Sequence, residues 1–287
     1  MNKYKRNGLC WCGSSKKYKK CHFDFDERLN TFKHLGYPIP PKHLIKTHEE
    51  IEGIKKSCQL TKKLLDELNN IVKIGLTTND INNWVYEQTI KAGAIPAPLN
   101  YKGFPKSICT SVNEVICHGI PSDYILKDGD IINIDITCIL NGYYGDSCRM
   151  YEIGTVNDTA KRLSKVSKEC LNLAIKNIKP WTSISTIGDT IESYAHDHKF
   201  SVVNEFGGHG IGTKFHEEPF IYHCKRKEKQ MIMVPGMVFT IEPMINEGVA
   251  KSKILKDGWT AITADKKLSA QWEHTILITE NAAEILT

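Results

Sequence analysis

The strongest constraint on this chain is acid placed inside apolar, strand-like sequence. Asp135 lies in Ile131-Ile-Asn-Ile-Asp-Ile-Thr137, Glu242 in Met237-Val-Phe-Thr-Ile-Glu-Pro243 and Glu273 in Ala270-Gln-Trp-Glu-His-Thr-Ile-Leu-Ile278. In the first run, period-two alternation puts Asn133, Asp135 and Thr137 on one face and Ile132, Ile134 and Ile136 on the other. Asn141-Gly142 is a two-residue hairpin turn, pairing 140 with 143 and therefore 137 with 146. Asp146 then shares a face with Thr137 and lies diagonal to Asp135, roughly 7–8 Å away at the backbone and less at the side chains. Carboxylates desolvated in this way are costly unless something neutralises them. His209 sits in Gly207-Gly-His-Gly-Ile-Gly212, where flanking glycines let the backbone approach closely. That run could be read as a phosphate loop, but it lacks the Lys-Ser/Thr of one. Four carboxylates and one imidazole suit a pair of divalent ions such as Mn, Fe, Co or Zn. Such a pair clamps and activates a hydrolytic reaction.

The order helix, helix, strands occurs twice. Apolar residues from Ile51 to Val72 repeat at three- and four-residue spacing, predicting a helix from His48 that Gly75 ends. A second helix starts at Thr77 or Thr78 and runs to about Ala92. Helices are expected again from Asn157 to about Lys179 and from Ser183 to His198. Strands are expected near 107–117, 130–139, 143–153, 200–206, 219–223, 237–246 and 270–279. Gly75-Leu-Thr-Thr-Asn-Asp-Ile81 precedes Trp181-Thr-Ser-Ile-Ser-Thr-Ile187 by 106 residues, and Asp128-Gly-Asp-Ile-Ile-Asn-Ile-Asp135 precedes Pro235-Gly-Met-Val-Phe-Thr-Ile-Glu242 by 107. The near-constant offset superposes Asp135 on Glu242, predicting two related halves about a pseudo-twofold axis.

The 287 residues, 41% hydrophobic and 25% charged, are enough for a sizeable buried core. No apolar run is long enough for a transmembrane helix, and the charged N-terminus is not a signal peptide. The ten cysteines are therefore expected in a reducing cytoplasm, most of those after residue 22 as small buried hydrophobes. Charge is uneven: residues 1–23 carry seven Lys/Arg, Lys3 among them, and no acid, against a net +5 for the whole chain. This marks residues 1–23 as a separate basic unit, joined by a Pro-containing linker over 24–47 to a body spanning 48–287.

Several blocks together resemble the type I methionine aminopeptidases. They are Asn100-Tyr-Lys-Gly-Phe-Pro-Lys-Ser107, Ser111-Val-Asn-Glu-Val-Ile-Cys-His-Gly-Ile-Pro121, the Gly-rich run with His216, Phe239-Thr-Ile-Glu-Pro-Met244, Lys256-Asp-Gly-Trp259 and Ser269-Ala-Gln-Trp-Glu-His274. The resemblance covers roughly Glu49 to Leu286 and implies an α+β pita-bread fold, with antiparallel sheet inside and helices outside. It implies a metalloexopeptidase, a hydrolase that removes the initiator methionine from nascent proteins and prefers a small second residue. By this match Asp135, Asp146, His209, Glu242 and Glu273 hold two divalent ions, Asp146 and Glu273 bridging them. Glu242 is the expected proton shuttle. His216 is expected to stabilise the developing oxyanion, and His118 to hydrogen-bond the peptide or assist proton transfer. A methionine pocket is implied at Pro98, Tyr101, Phe104, Cys109, Phe215 and Trp259, with His118 and His216 also touching substrate. Some relatives carry Cys at the position of Pro98 and Tyr at that of Phe104; both changes keep the pocket apolar. X-Pro-cleaving peptidases share the five ligands but usually carry a large extra N-terminal domain and lack the block around His118.

In the basic unit, Cys10-x-Cys12 followed by Cys21-His22 supplies three thiolates and one imidazole, the ligand set of a closed structural zinc. So short a segment has little core of its own and needs the metal to fold. The spacing is similar to the SEC-C motif. Its surrounding lysines suggest an acidic partner, and the ribosome is the one expected for an enzyme that trims nascent chains.

Overall fold

The computed structural model describes residues 4–287; Lys3, counted above with the basic residues, lies outside them. Among the described residues five α-helices flank four antiparallel sheets: α1 Phe23–His34, α2 His48–Leu68, α3 Thr78–Lys91, α4 Asp158–Asn177 and α5 Ser185–Asp197.

Local chemistry explains the helix starts. Thr47 and Glu50 form a reciprocal capping box at α2, as Thr77 and Asp80 do at α3, and the Asn157 side chain accepts the Ala160 N–H at α4. The face of α2 that carries Ile54, Cys58, Leu64, Leu65 and Leu68 is buried. α2 ends at Leu68, well before the expected stop at Gly75. Ile71 and Val72 still pack on the core, but from turns that follow the helix. Their spacing continues the helical period because the turns keep the chain on the same surface.

The predicted hairpin has the predicted register. Strands Ile131–Leu140 and Tyr143–Glu152 pair with Leu140 opposite Tyr143 and Thr137 opposite Asp146. Cys109–Val112 and Ile95–Pro96 pair with the other edge of Ile131–Leu140. In the second half, Val238–Ile241 lies between His274–Ile278 and Gly208–Gly210 in a five-stranded sheet. Several expected strands are interrupted. The 237–246 run breaks at Pro243, whose ring has no N–H for a ladder, and the 107–117 run divides into Cys109–Val112 and Val115–Cys117.

The duplication extends to individual hydrogen bonds. Gly75 N–H donates to Leu126 O, and Trp181 N–H to Met233 O. Thr78 N–H donates to Tyr124 O, and Ile184 N–H to Met231 O. Leu126 N–H donates to Leu76 O, and Met233 N–H to Thr182 O. Each bond in the second half repeats one in the first. Even the turn's left-handed conformation is kept, with φ 91° at Gly75 and 68° at Trp181. Glycine adopts it freely, whereas a tryptophan there costs about 1–2 kcal/mol that packing has to offset.

That packing comes from the segment read as a linker. Residues 24–47 are not an extended connection, because most of α1 lies in this range and docks on the second half. The Phe25 ring meets Trp181 edge-on at 4.8 Å, Phe32 stacks at 6.4 Å and the Arg28 guanidinium sits 4.3 Å from the indole centroid. Leu29 is buried in the same cluster. Farther along, Ile232 N–H donates to Pro38 O and Lys46 N–H to Gly236 O. The buried side chain of Lys46 pairs with Glu217.

Candidate metal centre and active-site cavity

The acidic residues converge from both halves. Asp135 and Asp146 stand on the first hairpin, Glu242 follows the strand Val238–Ile241, and Glu273 precedes the strand His274–Ile278. The two halves are tied together at this point: the Thr275 hydroxyl donates to Asp146 O at 2.7 Å, Ser147 to Glu273 O at 2.6 Å, and Asn133 Nδ2 to Gln271 O at 2.8 Å. Donor atoms of Asp146, His209 and Glu273 all lie within 4.8 Å of one another. His209 Nε2 is 3.7 Å from both Asp146 Oδ2 and Glu242 Oε1. His209 Nδ1 is held against Gly210 O at 3.0 Å, which directs Nε2 at the acids.

Among the described residues no lysine or arginine pairs with any of the four carboxylates. Burial pushes Asp135 up to about 7 and Glu242 up to about 8. Burial, and then neighbouring carboxylates, raise Asp146 and Glu273 well above the usual range. Burial pushes His209 down to about 4, leaving a neutral ring that can ligate. This cluster is costly as bare protein and well matched to divalent cations.

Other side chains hold the ligands in place. Thr137 Oγ1 donates to Asp146 Oδ1 at 2.7 Å, Thr240 Oγ1 to Glu242 Oε1 at 2.8 Å, and Gln271 Nε2 to Glu242 Oε2 at 3.1 Å. The buried His223, kept neutral by burial, accepts the Glu242 N–H on Nε2 at 3.2 Å. Of these four, only Thr137 had a sequence signal, its place opposite Asp146.

A cavity of about 580 Å³ opens over the cluster. All five acidic-cluster residues line it, and so do all eight expected substrate residues: Pro98, Tyr101, Phe104, Cys109, His118, Phe215, His216 and Trp259. Phe104 meets Trp259 edge-on at 5.2 Å, and Tyr101 lies 4.8 Å from Phe215. His216 Nδ1 contacts the Tyr101 hydroxyl at 2.9 Å, leaving Nε2 for the cavity. Phe206 and Met244 also line the space and were not anticipated; each lies close to an acidic residue, Glu205 and Glu242 respectively.

The profile of metallopeptidase family M24 matches residues 52–280. A methionine aminopeptidase of Chlamydia trachomatis is 48% identical over 99% of this chain and 98% of its own. The chain belongs to the methionine aminopeptidases of family M24. Its fold agrees with that of the Rickettsia prowazekii methionine aminopeptidase at a TM-score of 0.83 and 46% identity, over 85% of this chain and 98% of that one. A prolidase of Pyrococcus furiosus shares the pita-bread fold at a TM-score of 0.68, with only 65% of its length covered. Membership in a metallopeptidase family accords with the acidic donor set and implies use of divalent metal.

The SEC-C motif matches residues 6–24. There Cys10, Cys12, Cys21 and His22 bring four donor atoms within 4.8 Å of one another. Cys10 Sγ and Cys21 Sγ are each 3.2 Å from His22 Nδ1, and Cys12 Sγ is 3.6 Å from Cys21 Sγ. A tetrahedron with Zn–S bonds of about 2.3 Å has edges of roughly 3.8 Å, so the cluster fits a zinc ion. The other seven cysteines are buried and free. Among the described residues no helix is long and apolar enough to cross a membrane.

Proposed function

We propose that this protein removes the initiator methionine from nascent polypeptides in the cytoplasm, preferring a small second residue. The observation that carries the reading is a single cavity of about 580 Å³ that joins the five acidic-cluster residues to a wall of Tyr101, Phe104, Phe215 and Trp259. Methionine suits such a pocket because its flexible thioether packs well against aromatic rings. Family resemblance and near full-length identity to a methionine aminopeptidase support the same substrate.

Asp135, Asp146, His209, Glu242 and Glu273 would hold two divalent ions, of Co, Mn, Fe or Zn. When bound, such ions polarise a carbonyl and acidify water. Glu242 accepts a proton on a carboxylate oxygen and passes it to the leaving amine. The Thr240 and Gln271 hydrogen bonds fix the orientation of that carboxylate. His216, oriented through Tyr101, presents Nε2 to the oxygen that gains charge, and His118, edge-on to Trp259, hydrogen-bonds the peptide. Phe104, Trp259, Phe215, Tyr101, Cys109 and Pro98 surround the methionine side chain and keep water from it.

Residues 1–23 form a zinc-bearing basic module and residues 48–287 the catalytic domain. The module's lysines make the ribosome its proposed partner. Deleting residues 1–23 should weaken co-sedimentation with ribosomes at low salt; unchanged co-sedimentation would remove that partner. For the enzyme itself, Met should be released from Met-Ala-Ser with Mn, Fe or Co supplied, and not from an Xaa-Pro peptide. Absence of release with each metal would sink the reading.

A further inference from the structure

A second groove, of about 1290 Å³, lies between the N-terminal module and the catalytic domain. Tyr4, Trp11 and Gly13 line it from the module, and the 42–50 segment, Thr213, Lys214 and His216 to Glu218 line it from the rest of the chain. His216, Glu217 and Glu218 border both this groove and the methionine cavity, so the two spaces are adjacent. We infer that the groove holds the extended polypeptide that follows the scissile bond, and that the zinc module serves as a substrate-binding wall. The inference rests on the aminopeptidase reading and deepens it by assigning a site for the downstream residues.

Three observations support this occupant. The volume exceeds the roughly 300–1,000 Å³ of small-molecule sites, so a chain segment fits it better than a metabolite. The lining mixes signs: Glu49 and Glu218 are exposed beside Lys214. A nucleic-acid groove needs cations for phosphates, and these carboxylates would repel them. A polypeptide with donors and acceptors along its backbone and side chains of either sign is compatible with such a lining.

The module side is also rigidly placed. Trp11 Nε1 donates to Asp26 at 3.2 Å and the Tyr18 hydroxyl to the same carboxylate at 2.6 Å. Lys42 Nζ lies 3.3 Å from Asp26 and 3.9 and 4.4 Å from the ring centroids of Tyr4 and Trp11. A wall ordered before binding loses little entropy when substrate arrives.

The test uses the full-length, metal-loaded protein and two substrates. One is Met-Ala-Ser. The other has the same start followed by about six neutral residues, roughly 20 Å when extended. The expected KM is about tenfold lower for the longer peptide, the effect of one or two net hydrogen bonds. His48→Trp introduces bulk from an exposed position of α2 that does not border the methionine cavity. It should abolish the tenfold gain and leave Met-Ala-Ser kinetics unchanged; His43→Trp gives an independent obstruction. A KM independent of length in the unaltered protein overturns the groove, as does a gain that survives both substitutions. Competition by single-stranded RNA against the longer peptide alone would reassign it to nucleic acid. Methionine release from neither substrate refutes the aminopeptidase reading and the groove with it, whereas release from both without a length effect refutes the groove alone.

Discussion

Lys46→Met tests whether one buried ion pair holds the loop that carries Phe215 and His216. Lys46 and Glu217 have side chains only 1% and 7% exposed. The substitution keeps the length of the side chain and removes its charge. Glu217 would retain Thr213 N–H, the Thr213 hydroxyl and Lys214 N–H on its other oxygen, each at 2.9 Å. Removing one partner of a buried pair costs about 3–5 kcal/mol, and the surviving hydrogen bonds place this case near 3. For a chain of this size that is a fall in Tm of roughly 6–12 °C. The assay is thermal unfolding at fixed metal concentration. The pH dependence is a second readout. Burial raises the Glu217 pKa, but Lys46 and the loop donors outweigh it and hold the carboxyl below its usual value. This stabilisation is therefore present above about pH 4.5 and is lost as pH falls through the lowered folded value. The gap between the variant and the unaltered protein should narrow in acid. Equal Tm values at neutral pH, or a gap that widens in acid, would refute the argument.

Glu242→Ala should lower turnover of Met-Ala-Ser by about 10²–10⁴ while binding of the other ligands persists, checked by metal titration alongside kinetics. Treatment with EDTA should make stability fall as pH rises from about 4 to 8. Over that range the buried Asp135 and Glu242 keep protons that the unfolded chain has released, so the folded state binds more protons. Thermal scans across pH would show the trend, and restoring metal should flatten it. Gly119→Ala places a Cβ 2.1 Å from Thr110 O, displacing the backbone beside His118; lower Tm and lower kcat are expected together. Cys21→Ser should reduce bound zinc by one equivalent in elemental analysis without reducing Met-Ala-Ser turnover.

The hairpin at Asn141-Gly142 was legible in sequence to the residue, because a two-residue turn and strict alternation leave one register. The constant offset between Asp135 and Glu242 likewise anticipated two halves. α1 was not read because Phe25, Leu29 and Phe32 are sparse among charged residues, and their partner Trp181 is distant in sequence. The ion pair of Lys46 with Glu217 leaves no local trace for the same reason. The break at Pro243 follows from a ring without an N–H, whereas periodicity does not mark the division between Cys109–Val112 and Val115–Cys117, where Asn113 takes a φ of 52°. His223 and Gln271 look like ordinary polar residues until the fold brings them to Glu242.

The attachment of α1 to Trp181 also has a consequence for the order of synthesis. The N-terminal module and α1 are made before the catalytic domain, yet the seat of α1 and of the segment after it, from Trp181 through Pro38's partner Ile232 to Gly236, belongs to the later half. During translation α1 must wait, undocked, until that seat has emerged. For this interval a newborn copy has α1 unseated and no downstream wall for its own substrates, so its maturation waits for an early segment to fold back onto a later one.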